Sequence, residues 1–279
     1  MNIKLTIISA LIVLSWVSCI PDEPPEGDIN IIYAENNLMP EKLKATDEAS
    51  GVQAAYIYPT SVYQHAILGD TLEAEGLRVY YEGKYYDFIL DTTLVFEDIR
   101  PRLVDLNNDG MPEIITILSS ITKGASVTIL EFVDNVIQVY ATTGFIGTRY
   151  RWLNIAAIDD LDNDGEIEIA FVSTPHIGGY LHIAHVDGAA IYAKTQQPGV
   201  SNHKIGSRNL CLSAITVKDG IKTLYLPTNE YDAILGFQWK DQKLVPTDTI
   251  AFNVDPLIPL SEQYTFEGLQ EDKNCINGE

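Results

Sequence analysis

The chain has 279 residues, 46% of them hydrophobic, which suits one large domain or two small ones and is too apolar for a disordered tail. With 39 acidic residues against 18 basic ones it carries a formal charge of −21. Nucleic acid and anionic lipid surfaces would repel such a chain, so cations or neutral ligands fit better; the expected partner is a carbohydrate or a protein, with any membrane contact made by a lipid anchor alone.

Residues 1–18 read as a signal peptide: Lys4 supplies a positive start, and the apolar run from Leu5 to Val17 is short for a membrane span. Val17-Ser18-Cys19 then places a β-branched and a small residue before a cysteine, the pattern of a lipoprotein signal, and makes Cys19 the expected lipidation site. Trp16 stands where such signals usually carry Leu, so an ordinary cleaved signal is the alternative. The expected location is the cell envelope, lipid-anchored, with a secreted or periplasmic soluble protein as the alternative. Residues 19–47 form a tether and closing segment, stiffened at its start by Pro21, Pro24 and Pro25.

From residue 48 the chain repeats itself. Asp109-Gly110, Asp164-Gly165 and Asp219-Gly220 are spaced 55 positions apart, and each precedes an apolar run. In phase with them, alternating segments flank tight turns over Leu77 to Leu90, Val127 to Tyr140, Leu181 to Ala193 and Ile234 to Val245. Asp-Asn and Asp-Gly pairs between alternating segments are hairpin signals, because these residues tolerate positive φ. Four short antiparallel strands per repeat, with no helical stretches between them, predict an all-β fold. The expected architecture is a β-propeller of four-stranded blades over residues 48–262, four in number with a fifth left open, and a C-terminal tail over 263–279. Blades should begin near residues 48, 101, 156 and 211, the first being stretched by an insertion from Pro59 to Glu75.

Two inter-strand loops carry metal-binding chemistry. Asp160, Asp162, Asp164 and Glu168 stand at positions 1, 3, 5 and 9 of one loop, with Gly165 at position 6 and Glu166 at position 7. Asp105, Asn107, Asp109 and Glu113 repeat the pattern, with Gly110 and Met111 between. Ca²⁺ takes six to eight oxygen ligands in flexible geometry, and alternate residues of a tightly curved loop can supply them, with a position-7 carbonyl from Met111 or Glu166. An EF-hand would need Glu at position 12, where Thr116 and Phe171 stand, and flanking helices. Two Ca²⁺ sites of structural role are expected, against the plainer reading of Asx-rich surface turns that bind nothing. In the fourth repeat only the Asp219-Gly220 turn is kept.

On these loop motifs the chain resembles the FG-GAP/VCBS repeat family, whose propeller blades, like those of integrin α-subunits, carry D-x-D-x-D-G-x-x-D/E calcium loops. The likeness spans roughly residues 48–260. A propeller puts the calcium loops on one face and brings other loops to the opposite one, where Arg151, His176, Tyr180, His203 and Arg208 are candidate ligand-binding residues. Exposed tyrosines there would suit a glycan, and Tyr58, Tyr63, Tyr180 and Tyr231 fall on suitable segments. Trp152 reads as core.

The leading expectation is a non-catalytic module binding carbohydrate or protein. The alternative is a polysaccharide-active, lyase-like enzyme using His176 and His203 as base and partner. Cys211 and Cys275 can pair in an oxidising compartment and pin the tail, or remain one buried and one exposed thiol.

Overall fold

A computed structural model describes residues 37–276. The expected signal peptide, Cys19 and the proline-rich start of the tether lie outside the described residues.

The alternating segments form antiparallel strands in four successive groups. The first holds β1 (Lys44–Thr46), β2 (Gln53–Thr60), β3 (Glu73–Tyr81) and β4 (Lys84–Ile89). After the short strand β5 (Leu94–Phe96) comes the second: β6 (Arg102–Val104), β7 (Glu113–Ser120), β8 (Gly124–Val133) and β9 (Val136–Thr142). The third is β10 (Leu153–Asp159), β11 (Glu168–Ser173), β12 (Tyr180–Asp187) and β13 (Ala190–Pro198). The fourth is β14 (Ala214–Lys218), β15 (Ile221–Pro227), β16 (Ala233–Lys240) and β17 (Lys243–Ala251). Since β5 pairs with β3 and β7, and Thr142 of β9 meets Ala190 of β13 in parallel, the first three groups make one large mixed sheet. The fourth stands as its own four-stranded sheet. Among the described residues no helix is long and apolar enough to cross a membrane.

The turns close for the reason the sequence suggests. Asp134 and Asn135 between β8 and β9, Asp219 and Gly220 between β14 and β15, and Asp241 and Gln242 between β16 and β17 all hold positive φ, the conformation of two-residue hairpin turns. The first group starts at Lys44, upstream of residue 48, and the expected insertion forms the long β2–β3 connection.

Why the runs after the acidic loops are apolar without interruption is clear from packing. On β7, Ile115 and Ile117 join Leu153, Ile155, Ile169 and Phe171 in one core, while Ile114 and Leu118 point the other way, to Tyr56, Leu77, Val79 and Leu130. On β11, Ile169 and Phe171 face the first of these cores, and Ala170 and Val172 face Leu181, Ile183, Leu224 and Phe237. Successive strand residues alternate faces, so a strand buried on both sides must be apolar at nearly every position. Each fully buried Ile or Leu contributes about 1.5–3 kcal/mol by leaving water.

The chain after β17 is packed down as well. Following the short helix α1 (Leu260–Gln263), Leu269 bridges Thr216 of β14, Gly268 O accepts from Val217 N, and Gln270 N donates to Ile215 O. Cys211 and Cys275 are joined by a disulfide, and Leu210 N donates to Ile276 O beside it.

Candidate functional site

Antiparallel order puts the β6–β7 and β10–β11 loops at one end of the strands. The β2–β3, β7–β8 and β11–β12 connections and the links between groups lie at the other. Each end carries a distinct cluster.

At the first end, the two acidic loops repeat each other bond for bond. Asp105 Oδ2 accepts from Gly110 N at 2.9 Å and Asp109 Oδ1 from Met111 N at 2.8 Å; Asp160 Oδ2 accepts from Gly165 N at 3.2 Å and Asp164 Oδ1 from Glu166 N at 2.9 Å. The position-9 carboxylates anchor both turns, Glu113 on Leu106 N at 2.7 Å and Glu168 on Leu161 N at 2.8 Å. Burial pushes both glutamates above the usual carboxylate range, against the pull of those N–H groups. Gly110 and Gly165, at φ of 91° and 93°, supply the left-handed turn at position 6.

The loops differ in what neutralises them. The carboxylates of Asp160, Asp162 and Glu168 converge with ligand atoms within 4.8 Å of one another, a set of oxygen donors suited to a hard cation. Into this set reaches the Lys194 ammonium, 2.8 Å from Asp162 Oδ2, 2.7 Å from Glu168 Oε1 and 3.5 Å from Asp164 Oδ2. Burial lowers the lysine's affinity for its proton, but the bonds to Asp162 and Glu168 outweigh it, and the net shift is upward. Lys194 sits on a β-bulge of β13; the matching bulge of β9 carries Tyr140, which brings no charge. At that loop Asn107 Nδ2 donates to Glu113 Oε1 at 2.9 Å, so the position-3 amide stands where the other loop has a carboxylate.

At the opposite end, His65, Ile67, Tyr150, Arg151, Trp152, Thr174, His176, Ile177 and Ile205 line a cavity of about 200 Å³. Hydrogen bonds draw these segments together: Ala125 N donates to Arg151 O, Thr174 N to Trp152 O, and Gly206 N to Ile67 O. Gly124 is required here, because a Cβ would stand 2.4 Å from Thr148 O and 2.6 Å from Arg151 O at a φ of 76°.

Of the sequence-derived candidates, Arg151 and His176 line this cavity and His203 lies directly behind it. His203 is fully buried with both ring nitrogens engaged: Nε2 faces Ser207 O at 2.9 Å and Nδ1 faces His176 Nε2 at 3.0 Å. The carbonyl can only accept, so His203 carries its proton on Nε2, and His176 must donate from its own Nε2, keeping a lone pair on Nδ1. Burial pushes His176 down to about 4 and His203 to about 3. A general base needs contact with substrate, which His203 lacks; it orients His176.

Arg208 is not part of the cavity lining. It pairs with Glu41 and Asp70 at 2.7 Å each and clasps the β2–β3 loop. Tyr180 is exposed at the start of β12, away from the lining. Tyr63 is buried and accepts from Tyr150 N at 2.9 Å; Tyr231 donates to His203 O at 2.8 Å; Tyr58 lies within β2. These three are framework residues here, and the exposed ring at the cavity is Tyr150. Trp152 is core, as expected, with its Nε1 donating to Glu97 O at 3.0 Å.

Sequence reasoning missed His65 and Glu97. Glu97 is almost wholly buried, accepts from Ser119 Oγ, and faces His65 Nδ1 at 2.5 Å. Burial pushes its carboxyl up, opposed by the bonds from His65 and Ser119. With Nδ1 taken by the carboxylate, the Nε2 of His65 is the nitrogen left for the cavity. Nothing in the residues around His65 or Glu97 marks them as partners. No family model matches the chain, and no curated protein matches it.

Proposed function

We propose that this chain is an exported, calcium-stabilised β-propeller of the FG-GAP/VCBS repeat type, anchored to the cell envelope through Cys19, whose face opposite the acidic loops binds a carbohydrate. Four antiparallel four-stranded groups, with cores shared between neighbours, support the propeller reading. Ca²⁺ is assigned to both acidic loops, held by Asp105, Asn107, Asp109, Glu113 and the Met111 carbonyl in one. In the other the ligands are Asp160, Asp162, Asp164, Glu168 and the Glu166 carbonyl, in competition with Lys194.

The observation that carries the ligand-binding reading is the meeting of four separate segments, contributing His65, Tyr150, Arg151, His176 and Ile205, around one cavity. Tyr150 offers a ring face, His65 and His176 offer unshared nitrogens, and the volume, below the roughly 300–1,000 Å³ of sites for drug-sized ligands, suits one sugar ring. A glycan array probed with the full chain, with and without EDTA, tests this. Binding lost in Tyr150→Ala and retained in a Lys84→Gln control is expected; no binding to any glycan in either condition would turn the reading to a protein partner.

A second reading, lyase-like chemistry on a polysaccharide, rests on the Glu97–His65 pair. A buried carboxylate orienting an imidazole toward a cavity is the geometry of a general base. On this reading His65, rather than His203, is the base.

A further inference from the structure

The strongly negative chain places an unpaired basic cluster around its cavity. Six of its other cations are neutralised: Arg78 by Asp87, Arg102 by Asp98, Lys194 by the acidic loop, Arg208 by Glu41 and Asp70, Lys218 by Glu267 and Lys222 by Asp159, whereas Lys44, Lys84, Lys240, Lys243 and Lys273 make no ion pair among the described residues but do not line the cavity. Among the described residues no carboxylate stands within ion-pair distance of Arg149, Arg151, Lys123 or Lys204. All four belong to the loops of the cavity face. Arg151 lines the cavity, and Lys204 precedes Ile205, which also lines it. The Lys123 carbonyl accepts from Gly147 N, and the Arg149 guanidinium lies 4.4 Å from the centre of the Tyr150 ring, held there by its π face.

The acids that approach this face are already engaged. Glu41 and Asp70 hold Arg208, Glu73 accepts from Gln64 N and His65 N, and Glu97 lies beneath His65 and Ser119. A ligand entering between Arg151 and Tyr150 therefore meets a locally positive rim on a molecule whose net charge is −21. Net charge governs long-range encounter, but at 0.15 M salt charges beyond about 8 Å are screened, and the local rim decides what binds. A guanidinium presents a planar fork that matches a carboxylate with two parallel N–H bonds. Beside it, Tyr150, Ile177 and Ile205, exposed by 41%, 57% and 63%, offer apolar surface to a ring.

We infer that the ligand is an acidic sugar, a uronate unit whose carboxylate pairs with Arg151 while its ring rests on Tyr150 between Ile177 and Ile205. This rests on the reading of the cavity as a carbohydrate site and adds the charge of the sugar. His65 Nε2 and His176 Nδ1, the latter an acceptor, are then left for ring hydroxyls.

Calorimetric titration of the full chain with D-galacturonate and D-glucuronate, against D-galactose and D-glucose, tests it at 50 and 500 mM NaCl. The acidic sugars are expected to bind at least tenfold more tightly than their neutral partners. Arg151→Gln should remove that preference, Arg149→Gln should reduce it, and high salt should weaken the acidic sugars alone. Melting curves of both variants matching the parent would establish that the fold is kept, and a Lys84→Gln variant controls for loss of charge elsewhere. Equal affinity for acidic and neutral sugars would overturn the acidic-ligand inference while leaving the carbohydrate site standing. Saturable binding of none of the four sugars would overturn both. A preference that survives Arg151→Gln would overturn the assignment of the carboxylate to Arg151.

Discussion

The Ser207–His203–His176 relay shows how one backbone carbonyl can fix the chemistry of a surface it never touches. Because Ser207 O must accept, the proton positions of both imidazoles follow, and the cavity is left with a nitrogen lone pair on His176. The packing of His203 against Trp152, with ring centres 4.7 Å apart, keeps the relay dry and both rings neutral. Its pH dependence has a definite sign. An unfolded chain would protonate both histidines near pH 6.5, while the native chain resists until about 4 for His176 and about 3 for His203. Between those values the unfolded state binds more protons, so the relay's contribution is complete above about pH 6.5 and is lost as pH falls toward 3. The slope is at most about 1.4 kcal/mol per pH unit for each imidazole. NMR titration of the ring carbons should find both histidines still neutral at pH 5, with His176 taking its proton near pH 4. A midpoint above pH 6 for either ring would rule out the relay.

Among the elements, the two acidic loops share a backbone and differ in their counter-charge, and the difference comes from one bulge residue. Lys194 puts an ammonium among Asp162, Asp164 and Glu168, a cation already tethered to the protein, whereas Tyr140 leaves the loop from Asp105 to Glu113 without one. A divalent ion must displace the lysine in one loop and meets no such rival in the other. Ca²⁺ titration by calorimetry should therefore resolve a tighter site, removed by Asp109→Asn, and a weaker one. Lys194→Met should tighten the weaker site at least tenfold and lower the melting temperature of the EDTA-treated protein, since three converging carboxylates lose their cation; Ca²⁺ should restore it. At 100-fold excess over Kd each occupied site stabilises by about 2.7 kcal/mol. Unchanged affinities in Lys194→Met would mean that the lysine does not compete. The loops themselves were legible because their ligands are neighbours in sequence, recur at one spacing and flank a glycine. Lys194 was not, because it stands 26 residues from Glu168 and reaches it only through the fold of β12 on β13. The same holds for His65, 32 residues from Glu97. The ion pairs of Arg208 were hidden for the same reason: the carboxylates that hold it lie far upstream at Glu41 and Asp70.

For the whole molecule, the fourth group's sheet shares no strand pairing with the large one among the described residues, and the C-terminal segment is placed to tie them together. After β17 the chain returns to the edge of β14 through Leu269 and Gln270, contributes Ile276 to the core shared by Ile115, Leu153 and Ile169, and receives Arg100 bonds on Lys273 O and Cys275 O. One segment thus touches the fourth group, the second and the third. The Cys211–Cys275 disulfide, spanning 64 positions, makes that return permanent. Closing a loop of this length removes enough freedom from the unfolded chain to stabilise the native state by about 4 kcal/mol in the chain-entropy model. A Cys211→Ala, Cys275→Ala variant should lower the urea midpoint accordingly with Ca²⁺ binding intact at the loop from Asp105 to Glu113, which makes no hydrogen bond to the segment among the described residues, whereas Gln270 Nε2 donates to Asp159 Oδ2 at 3.1 Å beside the other loop. Limited proteolysis distinguishes this from a general loosening: cleavage should appear first between residues 252 and 276, with β14 edge amides exchanging faster while those of β7 and β11 stay protected. Uniform loss of protection across all four groups would instead mean that the disulfide closes the entire set of sheets, since opening one edge would then release every core that depends on its neighbour.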